Sequence, residues 1–173
     1  MTDTTGKKLA VRCAVLFVLL SCLVTAANGA ERVTLKIGDP PPPFSLQDTE
    51  GRTVTAPGDF RGKTVVVHFW ADWCPYCLEE MPVLDNLYRQ YGKQGLVVYA
   101  VNVGQGLAAA RAYINRVNIT YPVLLDPEGK TAKSYGVLGL PRTFFIDRKG
   151  TIKYKLLGEA SGDTLRKLVL KTL

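Results

Sequence analysis

The chain has 173 residues, 47% of them hydrophobic and 21% charged. That suits one globular domain with a short extension and excludes a disordered, collagen-like or polytopic membrane chain. The formal charge of +7 falls to +5 once Asp3, Lys7, Lys8 and Arg12 are set aside, and no basic run is interleaved with aromatics, so nucleic acid is not an expected partner.

Lys7, Lys8 and Arg12 precede the apolar run Cys13 to Leu20, which continues with small interruptions to Ala27 and closes on small residues up to Ala30. Charged, then apolar, then small is the order of a secretory signal. The run is short for a spanning helix, which takes about 20 apolar residues. Leu19-Leu20-Ser21-Cys22 also resembles a bacterial lipobox. Residues 1–30 are therefore expected to be a cleaved signal, a lipid anchor at Cys22 or an uncleaved membrane anchor. Each of the three places residues 31–173, the expected domain, outside the cytoplasm, in the periplasm or at the outer face of a membrane. Cys13 and Cys22 then belong to targeting, which leaves Cys74 and Cys77. The loop they would close is too small to staple a fold, and structural frameworks in oxidising compartments use several well-separated pairs. This pair is expected to do chemistry.

Asp39 and the four prolines Pro40 to Pro43 form a stiff lead-in. Phe44-Ser45-Leu46 and Arg52-Thr53-Val54 read as a small hairpin with Gly51 in its turn. Thr64 to Phe69 is a β-branched run of the kind buried on both faces of a sheet. From Leu78 the apolar residues Met81, Leu84, Leu87, Tyr88 and Tyr91 recur at helical spacing up to Gly92, with Pro82 expected to kink the helix. Leu96 to Val101 is a second buried strand, and Leu107 to Val117 a second helix. Tyr121 to Leu125 precede the turn Asp126 to Gly129 and a short helical piece through Tyr135. Thr143 to Asp147 and Thr151 to Tyr154 make a second hairpin, and Ser161 can cap a last helix with Leu165, Leu168 and Val169 inward. The alternation predicts an α/β fold with a mixed sheet covered on both faces.

Trp73-Cys74-Pro75-Tyr76-Cys77 follows the first buried strand and opens a helix. A cysteine at a helix N-terminus meets unpaired N–H groups and the positive end of the macrodipole, which favour its thiolate. Cys74 is the expected nucleophile on a partner's disulfide, and Cys77, one turn on, the thiol that resolves the mixed disulfide. Half of a zinc site is the alternative, but zinc needs two more ligands and the exported chain offers only His68.

His68 to Cys77, Glu80-Met81-Pro82, and Gly136 to Asp147 around Pro141 together resemble the thioredoxin superfamily, in particular its exported TlpA/ResA-like branch, over Phe44 to Leu173. The resemblance implies a thioredoxin-like fold with an N-terminal β-hairpin extension and thiol–disulfide exchange on exported proteins. No metal or organic cofactor is implied. It implies a cis peptide bond at Pro141, facing the dithiol, with Leu140 presenting its backbone to an extended substrate. Trp73, Pro75 and Tyr76 would border the same groove, and Arg142 would add a cation that favours the thiolate. It further implies protein dithiol or disulfide substrates such as the CxxCH site of an apocytochrome c, electrons from a membrane dithiol carrier of the CcdA/DsbD type, and a monomer. Three departures bear on the reduction potential. Pro75-Tyr76 is the glutaredoxin dipeptide, although glutaredoxins lack the Trp73 equivalent and carry glycines where this chain has Phe144-Phe145. Arg142 follows the proline. His68 stands where cytoplasmic thioredoxins have a buried aspartate. Both the dipeptide and Arg142 argue for a more oxidising potential, so a disulfide oxidase or glutaredoxin-like exchange is the alternative direction.

Two other activities share parts of the pattern. A thiol peroxidase would carry a threonine three residues before its reactive cysteine, where this chain has Ala71. A copper carrier of the SCO type would need CxxxC and a downstream histidine, which is absent. Resolution by Cys77 needs a proton acceptor with a pKa near the working pH. Glu80, one helical turn from Cys77, is the first candidate and His68 the second. Strand alternation gives His68 only one face of the sheet, and sequence does not say which.

Overall fold

β3 (Thr64–Trp70) is buried from end to end, as its β-branched and aromatic run requires of a strand covered on both faces. The computed structural model describes residues 34–173, so the expected signal or anchor at residues 1–30 lies outside the described residues. β3 pairs in parallel with β4 (Leu96–Val103), and β4 with β5 (Val123–Asp126). On its other side β3 pairs antiparallel with β6 (Arg142–Ile146), which pairs antiparallel with β7 (Ile152–Leu157). The mixed sheet has the order β5-β4-β3-β6-β7, and the hairpin of β1 (Phe44–Gln47) and β2 (Thr53–Ala56) is separate from it.

Alternation along β3 sends Val66, His68 and Trp70 to one face and Val65, Val67 and Phe69 to the other. The first face is covered by three helices: α1 (Pro75–Tyr91) through Cys77, Met81, Leu84 and Leu87, α2 (Leu107–Val117) through Tyr113, and, past a short helix on the far side, the C-terminal helix through Leu165 and Val169. The second face is covered by Phe44 and Val54 of the hairpin, by Phe60, and by Ala132 and Tyr135 at the five-residue α3 (Lys130–Ser134).

α1 begins three residues before its apolar repeat, because Pro75 supplies the fixed φ of a first helical position and Cys74 is the N-cap. It continues through Pro82 as one element. α2 has the expected bounds, and Ser161 Oγ accepts from Thr164 N–H at the start of α4 (Gly162–Thr172). Gly51 sits at φ +86° in the first hairpin turn, where a side chain would be strained. Buried Asp126 ends β5 and accepts from the backbone N–H groups of Thr131 and Ala132, which ties α3 to the sheet. Among the described residues no helix is long and apolar enough to cross a membrane.

Candidate functional site

The carboxyl end of β3 delivers the chain through Ala71-Asp72-Trp73 to the N-terminus of α1. Asp72 N–H donates to Gln105 Oε1 at 2.9 Å, and the same oxygen accepts from Nδ2 of buried Asn102 at 3.0 Å. The end of β4 therefore holds the turn that precedes the cysteines. Cys74 and Cys77 are joined in a disulfide with Cα atoms 5.5 Å apart. Cys74 is at the N-cap and Cys77 lies inside the first turn. Only Cys74 takes the full benefit of the helix terminus. Exposure does not separate them in this oxidised form: Cys74 is 2% exposed and Cys77 is fully buried.

Trp73 and Tyr76 are exposed on either side of Cys74, whereas Trp70 is buried against Tyr113 with ring centroids 4.6 Å apart. Trp70 is packing, and Trp73 is available to a partner. Across the sheet Arg142 is in register with Phe69, so Pro141 lies at the same end as the cysteines. The Leu140–Pro141 peptide is cis, and Pro141 C=O accepts from Gly158 N–H at 2.9 Å. Leu140 is half-buried and Leu138, beside it, is highly exposed. Arg142 departs from expectation. Alternation along β6 places its guanidinium over the Phe144 ring, 5.3 Å from the centroid. Phe144 belongs to the core on the face away from Cys77 and α1. The cation predicted to favour the thiolate is thus directed across the sheet, and partial burial lowers its pKa.

His68 and Glu80 meet inside the protein. His68 shares the face of Val66 and Trp70, the one packed by α1, which answers the question strand alternation left open. Its Nδ1 is 3.6 Å from Glu80 Oε2 and 2.9 Å from Thr143 Oγ1. Glu80 is 2% exposed, and its Oε1 accepts from Ala160 N–H at 2.6 Å. Burial disfavours the charged form and raises the Glu80 carboxyl to a pKa of about 7. The Ala160 amide opposes the rise and the nearby charge of Glu159 adds to it. The same burial lowers His68 to about 4, so its ring is neutral at neutral pH. A pKa of about 4 makes the ring a weaker base at neutral pH than the Glu80 carboxyl. Glu79, next in sequence, faces solvent as helical spacing predicts.

Asn102, Gln105, Thr143 and the Ala160 amide were not foreseen. Thr143 sits in the segment that carries Pro141, but only the register of β6 on β3 reveals its contact with His68.

A strand–dithiol–helix start, an opposing cis-proline and a buried carboxyl one turn behind the second cysteine define a thioredoxin-like dithiol protein. Residues 37–155 match the AhpC/TSA family, and the chain belongs to that family. It is 34% identical over 163 residues to thiol-disulfide oxidoreductase ResA of Geobacillus thermodenitrificans, covering 92% of this chain and 93% of that one. The Bacillus subtilis protein of the same name is 32% identical over 149 residues, 84% of this chain and 83% of the relative. Among solved structures, a putative thiol:disulfide interchange protein DsbE from Chlorobium tepidum superposes with a TM-score of 0.75 at 32% identity, covering 80% of this chain and 99% of that one.

Proposed function

We propose that this protein is an extracytoplasmic thiol–disulfide oxidoreductase that reduces disulfides of exported proteins, with Cys74 as nucleophile and Cys77 as resolving thiol. The observation that carries the reading is the Cys74–Cys77 disulfide at the N-terminus of α1, with buried Glu80 one turn behind it. In the reduced protein the Cys74 thiolate attacks one sulfur of a substrate disulfide. A mixed disulfide forms, and the other substrate sulfur leaves as a thiolate. Cys77 then loses its proton to Glu80 and attacks Cys74 Sγ, releasing the second substrate sulfur. Two electrons pass to the substrate, which becomes a dithiol, and the protein becomes a disulfide.

The exposed rings of Trp73 and Tyr76 and the Leu140–Pro141 segment form the docking surface in this reading, with Pro75 between the cysteines. The CxxCH site of an apocytochrome c is the proposed substrate, as the resemblance to the TlpA/ResA-like branch implies. A membrane dithiol carrier of the CcdA/DsbD type returns the electrons. Residues 1–30 act as the export signal or anchor, the domain of residues 31–173 works as a monomer, and lipidation at Cys22 is one route of tethering.

Trapping tests the whole reading. Cys77→Ser should accumulate mixed disulfides with exported proteins in cells, and Cys74→Ala should neither trap them nor reduce insulin. A Cys74→Ala protein that still reduces insulin would refute the dithiol mechanism. Equilibration with glutathione fixes the direction: a potential near about −120 mV, that of a strong exported oxidant, would make the protein an oxidase instead.

A further inference from the structure

Two buried polar contacts converge on a single ring nitrogen. Thr143 is in register opposite His68, and its Oγ1 lies 2.9 Å from His68 Nδ1. The same Nδ1 lies 3.6 Å from Glu80 Oε2. All three side chains are at most 2% exposed. Glu80 is held from its other side by the Ala160 amide, so Oε2 is the oxygen turned toward the ring.

His68 is neutral at working pH, so one ring nitrogen carries a hydrogen and the other a lone pair. A lone pair on Nδ1 would face a carboxylate oxygen when Glu80 is ionised, which is repulsive. A hydrogen on Nδ1 would present a positive dipole end to it. The Thr143 hydroxyl can accept from Nδ1–H or donate to a bare Nδ1, and only the first arrangement suits an ionised Glu80. Tautomer identity at a buried histidine is set in this way by the partner of one nitrogen.

We propose that Thr143 and His68 are positioning residues for Glu80: the Thr143 hydroxyl accepts from His68 Nδ1–H and holds the ring with that N–H on the side of the carboxylate that takes the proton of Cys77. The proposal rests on the reading of Glu80 as proton acceptor. Beside Cys77, one turn back on its own helix, the groups acting on Glu80 are Glu159 and the Ala160 amide from the β7–α4 connection, and the buried phenol of Tyr121, which remains neutral. Of these, Glu159 opposes ionisation of Glu80 and the Ala160 amide favours it. The His68 dipole joins the amide.

Two measurements test it. Nitrogen-15 NMR of His68 in the oxidised protein at pH 7 should show the hydrogen on Nδ1; a hydrogen on Nε2 would overturn the proposal, and this requires no variant to fold. Thr143→Val keeps the shape and removes the hydroxyl, and Thr143→Ser restores it. The pH midpoint of the resolving step should rise by roughly half a unit in Thr143→Val, the size expected for loss of one modest hydrogen-bond dipole, and return in Thr143→Ser. Attack by Cys74 on a small disulfide should keep its rate in both. An unmoved midpoint in Thr143→Val refutes the positioning role. Glu80→Gln separates the two readings: if it leaves the midpoint in place, Glu80 is not the proton acceptor, whereas a midpoint lost in Glu80→Gln but unmoved in Thr143→Val overturns only the role of Thr143 and His68.

Discussion

Glu80→Gln removes a titratable group while keeping its shape, and Gln can still accept from Ala160 N–H through its amide oxygen. In the folded protein the Glu80 pKa rises from 4.5 to about 7 because burial disfavours the anion. The folded state therefore holds this proton more tightly than the unfolded state does. The stabilising contribution is complete below about pH 4.5 and is lost as pH rises through about 7. At about 1.4 kcal/mol per pKa unit, the loss is on the order of 3 kcal/mol. His68 has the opposite sign: lowered from 6.5 to about 4, it gives a contribution present above pH 6.5 and lost as pH falls through 4. The two slopes oppose each other between pH 4.5 and 6.5, so wild-type stability alone is a poor gauge of either group. The difference between wild type and Glu80→Gln cancels most of the His68 contribution. Denaturant unfolding of both oxidised proteins, disulfide intact throughout, should show the variant gaining about 3 kcal/mol on wild type between pH 4 and pH 8. The same substitution should slow the resolving step by about 10²-fold, the lower range for general acid–base catalysis. Parallel stability profiles over that pH range would refute the reasoning, because Glu80 would then titrate as it does in the unfolded chain.

Arg142→Gln should leave the thiolate titration of Cys74 in the reduced protein unmoved, since the guanidinium stacks on Phe144 across the sheet; a midpoint higher by about one unit, or about 1.4 kcal/mol, would put that charge beside the sulfur. Trp73→Ala should change stability by no more than about 0.5 kcal/mol, as for an exposed residue, while raising KM for protein disulfides and sparing small ones. Equal KM values for a protein substrate would remove Trp73 from the docking surface.

Much of this arrangement is legible in the sequence. The run from Thr64 to Phe69 can only be a strand buried on both faces, and Leu107–Val117 has the spacing of the helix it forms. Cys74, Cys77 and Glu80 are fixed by local rules, a helix start and one helical turn. The first turn of α1 adds nothing to the apolar period, because Pro75 and Tyr76 face solvent, and its start is marked by the Cys74-Pro75 pair instead. His68 and Arg142 show where local rules stop. Alternation says that neighbouring strand residues face opposite ways but not which face meets which helix. Val66 and Trp70 lie in the core that α1 and α2 cover, and His68 shares their face, on the dithiol side. Across β6 the same rule sends Thr143 to His68 and Arg142 away from it, although Arg142 is the nearer of the two to Pro141 in the chain.

Burial acts on the two proton-binding groups with opposite sign, and that makes them complementary. Either group alone in water would titrate away from the required range or carry a charge at the wrong moment: a solvated carboxylate is too weak a base for a buried thiol, and a solvated histidine would be partly cationic beside it. Taken out of water together, the carboxyl rises to about 7 and the ring becomes a neutral dipole. Under the proposed mechanism, a group with a pKa near the working pH would accept the Cys77 proton as the disulfide forms, and by microscopic reversibility return it as the disulfide is reduced. In the proposed cycle one buried carboxyl would serve both halves, and the protein's potential relative to its partners, not the acid–base machinery, would set the direction in which electrons run.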